Sequence, residues 1–355
     1  TDRGDRMSDA NHAPRGATEA DRDSLRSLVG EVFRPSLTDE YPQLFHAANL
    51  SNCRVVEVDG KLVPHVGMTV QDAAIYGCRV RVACIGGVAT HPDHRGAGHA
   101  GACLDDAIAV AIADGADVMI ISGDRSLYRR AGCRRVGQDL AALLTDGPPT
   151  TQKTTLRDAT EADIPTLRAL HHGEPIHWKR DPDTWRRALE CGWVMNRKSR
   201  FVIVEAHGAD AAYFIAPEGG EPVNSIQISE YAGDRQVLLA AFAQHAAAVA
   251  APAVQWSISS HDAYGKALAV ASGAEVRGST PSGTYIVLDP AQLVDRMRPF
   301  IREYVGSVAD EITVQTVGEG YRVAAGASEH ALPDRGCAAH FLFGTREDRA
   351  TPAPA

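Results

Sequence analysis

The sequence predicts an α/β fold built in layers: two related domains in tandem, each a mixed twisted sheet flanked by helices, then a small C-terminal α+β segment. Three observations carry this. At 355 residues the chain is longer than one domain of ~150. One segment recurs within it without a gap. After each copy, β-branched runs alternate with Ala-rich helical runs.

The repeat is direct. Arg15-Gly-Ala-Thr-Glu-Ala-Asp-Arg-Asp-Ser-Leu-Arg-Ser-Leu28 returns 142 residues later as Arg157-Asp-Ala-Thr-Glu-Ala-Asp-Ile-Pro-Thr-Leu-Arg-Ala-Leu170, with nine of fourteen positions identical. Thr18 and Thr160 are placed to cap a helix. Glu19, Asp21, Glu161 and Asp163 sit in its first turn, where the helix dipole favours anions.

In the first copy, 53–58, Asp59-Gly60 and 61–70 read as strand, tight turn, strand; in the second, 201–206, 207–210 and 211–216 read likewise. A strand, an Ala-rich helix and a buried strand follow at 80–90, 99–114 and 118–122, and again at 225–231, 235–250 and 254–259. The expected domains are therefore 15–147 and 148–289, behind a disordered extension of residues 1–14 in which Met7 is a candidate start. Beyond them, Pro290–Val305 spaces Leu293, Met297 and Ile301 by four, as a helix does. A hairpin is expected at 312–317 and 321–325 and a strand at 340–343; they complete a small segment over 290–345, with 346–355 a flexible tail.

Composition narrows the class. With 44% hydrophobic and 23% charged residues, the chain is neither wholly disordered nor collagen-like. No apolar run reaches the ~18–20 residues of a membrane span; the most apolar stretch, 237–254, is broken by Gln244, His245 and Pro252. The polar N-terminus does not read as a secretory signal. Seven scattered cysteines without a C-x-x-C pair predict free thiols in a reducing compartment, the cytoplasm. A net charge of −9 disfavours nucleic acid as a partner and suits cationic substrates. His171-His172 and His177 have no Cys or acidic partner at ligand spacing, so no metal is expected.

The chemistry concentrates in Cys84-Ile-Gly-Gly-Val-Ala-Thr-His-Pro-Asp-His-Arg-Gly-Ala-Gly-His-Ala-Gly-Ala-Cys-Leu104. A strand ends near Thr90, a turn follows, and a glycine loop opens a helix. Gly96 and Gly98 allow close backbone approach, so successive N–H groups and the helix N-terminus can converge on an anion, and Arg95 adds a fixed cation. This is the chemistry of a pyrophosphate site. One reading is a dinucleotide fingerprint, Gly96-x-Gly98-x-x-Gly101 with Asp124 after the next strand, hence an NAD-binding oxidoreductase. That motif puts its first glycine directly after the strand, whereas His91 to Arg95 intervene here. A glycine turn without a ligand is the plainest alternative.

The other reading is a family resemblance. Arg95-Gly-Ala-Gly98-His-Ala100, preceded by Val88-Ala-Thr-His-Pro92, resembles the Arg/Gln-x-x-Gly-x-Gly/Ala signature of the GNAT superfamily of acyl-CoA N-acyltransferases. The apolar strand 118–122 and Tyr128-Arg-Arg-Ala-Gly132-Cys133 look like its next two blocks, with Cys133 in place of an aromatic residue. The resemblance implies acetyl-CoA as co-substrate, held by Val88, Ala89, Thr90, Arg95, Gly96, Ala97, Gly98, His99, Ala100 and Gly123. At the repeat offset, 95–102 corresponds to 237–244 (VLLAAFAQ), without glycine or arginine, so the second domain is expected to bind no CoA. Two such domains and a small third one resemble the Eis-like (enhanced intracellular survival) acetyltransferases, whose last domain is similar to sterol carrier proteins; the segment here is short for that family.

As a phenol with an ordinary pKa of ~10, Tyr128 is the candidate general acid, against the alternative of simple core packing. The carboxylate common on the preceding strand is absent. Asp124 is either the base or a helix cap, and a water chain or the C-terminal carboxylate of Ala355, which the Eis-like resemblance suggests, are the other candidate bases. His91 and His94 read as passive turn residues. Glu31, Asp39, Glu40 and Tyr41 either receive a cationic amine or form a solvated face. The expected function is acetyl-CoA-dependent N-acetylation of a small amine of aminoglycoside, polyamine, amino-sugar or lysine type, in a protein free to form a homo-oligomer. A non-catalytic CoA-binding scaffold is the rival.

Overall fold

A computed structural model of the protein describes residues 12–145, 152–194, 197–219, 224–259, 262–279, 281 and 283–344. The expected N-terminal extension as far as residue 11, the tail 346–355 and the Ala355 carboxylate lie outside the described residues.

The hairpin turns follow from two dipeptides that tolerate positive φ. Asp59 and Gly60 (φ 49° and 76°) join strands Arg54–Val58 and Lys61–Ile75, and His207 and Gly208 (φ 53° and 81°) join Arg197–Ala206 and Ala209–Pro217. The repeated segment closes on itself identically in both copies. The Thr18 N–H and Oγ1 each lie 2.8 Å from Asp21 Oδ2, and those of Thr160 lie 2.8 and 2.9 Å from Asp163 Oδ2. Arg15 pairs with Asp21 at 2.7 Å, and Arg157 with Asp163 at 2.8 Å.

The chain divides into two compact units. The first comprises residues up to Val136 and from Ser282 onward; the second is Gly137–Pro281. The main path of the first unit's sheet runs Arg15–Gly16, Arg54–Val58, Lys61–Ile75, Cys78–Thr90, Val118–Ile121, Thr284–Val287; all neighbours are antiparallel except Cys78–Thr90 with Val118–Ile121. Alternation along these strands feeds two layers: Val56, Val63 and Val88 pack with Cys103, Leu104 and Ala107 of helix His99–Ala113, while Val55, Leu62 and Ala89 pack with Leu25, Leu28 and Val29 of helix Arg22–Val32.

The same unit holds helix Pro290–Val305, a three-stranded antiparallel sheet (Thr313–Val317, Gly320–Ala325, Ser328–Leu332) and helix Arg335–Phe343. Asp117, fully buried at the start of a sheet strand, accepts the Arg81 N–H at 2.7 Å and the Gln292 side-chain amide at 2.8 Å, which ties the long helix to the sheet. The strand expected at 340–343 is instead the end of a helix: Asp334 accepts the Cys337 N–H at 2.7 Å as its cap, and Ala338 and Ala339 are buried.

The second unit has two sheets. One orders Glu230–Gly233, Ala209–Pro217, Arg197–Ala206 and Thr155–Asp158, with Trp193–Val194 at its side; the other orders Ile226–Ile228, Val254–Ile258, Asp139–Leu144 and Glu275–Ser279. Helix Arg235–Ala248 buries Leu238, Ala241 and Phe242 against them. The compact units therefore differ from the repeat boundaries 147/148 and 289/290. Residues 139–144 pair on both edges within the second unit's sheet, and 284–287 pair with Val118–Ile121 in the first.

Candidate active site

Strand Cys78–Thr90 carries one residue too many for its neighbour. Ala89 pairs with His65 and Gly86 with Gly67, so Gly87 and Val88 together oppose Val66. Gly87 absorbs the bulge at φ 62°, a conformation that glycine adopts without strain. On the other edge, pairing with Val118–Ile121 stops at Ile85–Ile121, while the bulged strand continues to Thr90. The two parallel strands therefore part, leaving a groove beside residues 86–90. His91 donates its N–H to Val63 O at 2.8 Å. Since facing groups alternate along an antiparallel ladder, Ala89 also faces that partner, and the amides of Val88 and Thr90 face the groove.

At its far end, 3-10 turn Pro92–His94 leads into the glycine loop. Gly96 and Gly98 have φ of 84° and 86°, and a Cβ on either would meet no atom within 4 Å. Gly98 is the N-cap of helix His99–Ala113, and no side chain caps it. The N–H groups of His99, Ala100 and Gly101 precede the first intrahelical bond, Ala102 N–H to Gly98 O at 3.1 Å, and so are left by the helix for an anion. Arg95 is exposed beside them, its Nε 3.4 Å from Thr90 O. The glycine loop and helix end follow the bulged strand directly along the chain, an order that suits an extended thiol cofactor with a pyrophosphate at one end.

Tyr128, on the short helix Ser126–Arg130, is 3% exposed and shares the core of Val88, Cys103 and Ile121. Its ring lies 3.5 Å from where a Gly123 Cβ would stand, and Leu127 comes within 3.9 Å of the same point at Gly101. Burial, only partly opposed by Arg125, pushes the phenol above its usual pKa, so it keeps its proton at pH 7. Asp124 does not cap this helix; its N-cap is Arg125. The Asp124 carboxylate is shared by Arg129 and Arg135, each at 3.3 Å.

Three of the four acceptor-side residues have a charged partner of their own. Glu40 is buried; Arg34 Nε reaches both its oxygens at 2.9 Å and Ser36 Oγ one at 2.6 Å. Burial opposes its ionisation less than Arg34 favours it, and its pKa falls below the ordinary value. Asp39 is ion-paired with Arg26, and Tyr41 is half-buried with its pKa raised by burial. Glu31 is exposed and lies 3.6 Å from His91 Nε2.

The sequence reasoning missed His65, whose Nδ1 is 2.7 Å from Gly87 O at the bulge. The available signal was one histidine in a strand of otherwise buried apolar residues (LVPHVGM).

In the second unit the parallel strands also part, after Ile228 and Trp256, but the loop and the helix end differ. Glu230, Tyr231 and Ala232 pair with Ile215, Phe214 and Tyr213 one to one, without a bulge. Helix Arg235–Ala248 follows Gly233-Asp234 directly, and Asp234 accepts the N–H groups of Gln236 and Val237 at 2.8 and 3.1 Å. A carboxylate thus occupies the place of an incoming phosphate. The equivalent of the glycine loop is therefore the residues just before Arg235, not 237–244, which lie inside the helix. The spacing shifts because the second copy lacks a segment like 91–98.

Among the described residues, no helix is long and apolar enough to cross a membrane, and no group of three or more His, Cys, Asp or Glu is arranged to hold a metal.

Residues 13–136 match the acetyltransferase (GNAT) domain family. No curated protein matches the chain. Among solved structures, it is similar to a probable N-acyltransferase from Enterococcus faecalis V583 (16% identity over 80% of this chain and 75% of that one, TM-score 0.63). It is also similar to a GCN5-related N-acetyltransferase from Anabaena variabilis ATCC 29413 (15%, 90% and 84%, TM-score 0.61) and to Eis1 from Mycobacterium abscessus (12%, 90% and 84%, TM-score 0.59). The fold is the mixed α/β fold of these proteins, and the acetyltransferase domain match over residues 13–136 supports an acyltransferase.

Proposed function

We propose that the protein transfers an acetyl group from acetyl-CoA to a primary amine of a small cationic acceptor, and that one of two tandem GNAT-like domains does the chemistry. One contrast carries the reading: in the first unit a glycine loop leads into a helix N-terminus that no side chain caps, whereas in the second the corresponding helix follows without such a loop and is capped by Asp234. Acetyl-CoA supplies an acyl group activated as a thioester. Gly96, Ala97, Gly98, His99 and Ala100 offer N–H groups to its pyrophosphate, and Arg95 a charge. Val88 and Thr90 offer strand-edge amides, with Ala89 between them and Gly123 at the opposite wall. The Val88 N–H is placed to polarise the carbonyl as negative charge develops on oxygen. Tyr128 holds the proton that the departing sulfur takes. With Asp124 bound by two arginines, the ammonium proton leaves through water or to the C-terminal carboxylate. Glu31, exposed beside His91, is the acceptor-side carboxylate offered to an amine; Asp39, Glu40 and Tyr41 support that side of the site. The segment from Pro290 is a sterol-carrier-like addition.

The test is thiol release from acetyl-CoA with a panel of aminoglycosides, polyamines, amino sugars and lysine peptides. Turnover that falls by roughly 10²–10⁴ in Tyr128→Phe, with CoA affinity unchanged, is expected. CoA binding without turnover on any amine overturns the reading in favour of a scaffold; NAD binding without CoA binding favours an oxidoreductase.

A further inference from the structure

We propose that His65 is a positioning residue for the acyl transfer: by holding the Gly87 carbonyl, it turns the Val88 N–H into the groove. The inference rests on the acetyl-transfer reading above, and it adds a residue that touches neither substrate.

The chain of geometry is short. His65 is fully buried in the strand next to the bulge, with Nδ1 2.7 Å from Gly87 O. The Gly87–Val88 peptide is trans, like every described peptide bond, so its C=O and N–H point in opposite directions. A carbonyl drawn inward to His65 sends the next N–H outward, to the side where the strands part. A bulge alone leaves that peptide free to turn, since glycine tolerates either orientation. The imidazole fixes it.

The ring's own state agrees. Burial pushes its pKa down to about 4, partly countered by the bond to Gly87, so it is neutral at pH 7. A neutral imidazole facing a carbonyl oxygen carries its one proton on the facing nitrogen. Nε2 is then a bare acceptor, and it has no hydrogen-bond partner among the described residues. A buried imidazole with one nitrogen unpaired is costly, and the bond to the bulge is what it maintains.

The surroundings hold the ring still. Phe45 stacks on it at 5.5 Å, and Gly67 makes room: a Cβ there would come within 2.9 Å of His65 Cε1 and 2.7 Å of Gly86 O. Counted from the hairpin turns, Asp59-Gly60 and His207-Gly208, the matching residue of the second unit is Tyr213. Its OH donates to the Glu230 carboxylate at 2.8 Å, a side chain rather than a backbone carbonyl.

The test compares His65→Leu, which keeps the bulk and removes the donor, with His65→Asn, whose amide N–H lies where Nδ1–H was. For Leu we expect kcat to fall roughly 10–100-fold with acetyl-CoA KM and CoA Kd within about twofold; for Asn, recovery to within about fivefold. Ring ¹⁵N shifts of the wild-type protein without ligand should show the Nδ1–H tautomer. Unchanged kcat in Leu, equal losses in Leu and Asn, or an Nε2–H tautomer overturns the proposal. If Leu does not fold, Asn and the tautomer still decide. Absence of amine turnover by the wild type would sink the acetyl-transfer reading instead, while the tautomer would still report on the His65–Gly87 bond.

Discussion

Replacing Gly98 by alanine isolates the ligand's share of the glycine loop. Gly98 sits at φ 86° and ψ −11°, and a Cβ there touches nothing within 4 Å. The folded protein therefore pays only for left-handed backbone, about 1–2 kcal/mol, less about 0.4–1 kcal/mol from the stiffer unfolded chain. At about 2–4 °C per kcal/mol for a unit this size, Tm should fall by only a few degrees. CoA loses more. If the added methyl displaces a phosphate from one charge-assisted backbone bond, about 1.5–3 kcal/mol is lost, and Kd rises roughly 10–100-fold. Asp234→Ala is the control: the helix loses its cap in the second unit, at about 1 kcal/mol, and no ligand contact. Titration calorimetry should give one CoA per chain for wild type and Asp234→Ala with equal Kd, and a weakened single site for Gly98→Ala. An unchanged Kd in Gly98→Ala, or two sites per chain, would refute the reasoning.

Two further outcomes test the surroundings. Arg34→Ala strips the main partner from Glu40, whose side chain is 2% exposed, so stability should fall by roughly 3 kcal/mol in denaturant while the KM for the amine holds. A raised KM with intact stability would return Glu40 to the acceptor site. His65 stays neutral in the fold down to about pH 4, whereas the unfolded chain takes up a proton below its ordinary value of 6.5. Stability should therefore decline as pH falls from 6.5 to 4, by about 3 kcal/mol from this residue. Thermal unfolding across that range should flatten in His65→Asn; a parallel curve would show that the ring titrates normally.

Much of the site could be read from residue order because its geometry is local. The turns at Asp59-Gly60 and His207-Gly208, the loop at Gly96 and Gly98, and the buried strand before Tyr128 each depend on a few adjacent residues. What could not be read depends on distant partners. The bulge is a mismatch between two strands, and neither shows it alone. His65 matters only because Gly87 lies opposite. Asp124 reads as a cap or a base until Arg129 and Arg135 are seen on it. The run at 340–343 is short and apolar, which suits strand and helix equally; Asp334, several residues earlier, decides for helix. The acidic cluster reads as a receptor because Arg26 lies upstream of it, and Arg34, though within the segment, shows its pairing with Glu40 only in the fold.

The strand Thr284–Val287 has a consequence for the order in which the protein is made. The first unit's sheet has an open edge at Val118–Ile121 until residues 284–287 leave the ribosome, some 160 residues after that edge itself. Its helices and glycine loop can form early, yet the sheet that carries them stays unclosed through synthesis of the whole second unit. An open hydrophobic edge is a template for wrong pairing. A nascent chain halted before residue 284 should bind chaperones and fail to bind CoA, although every residue of the proposed site has already been translated.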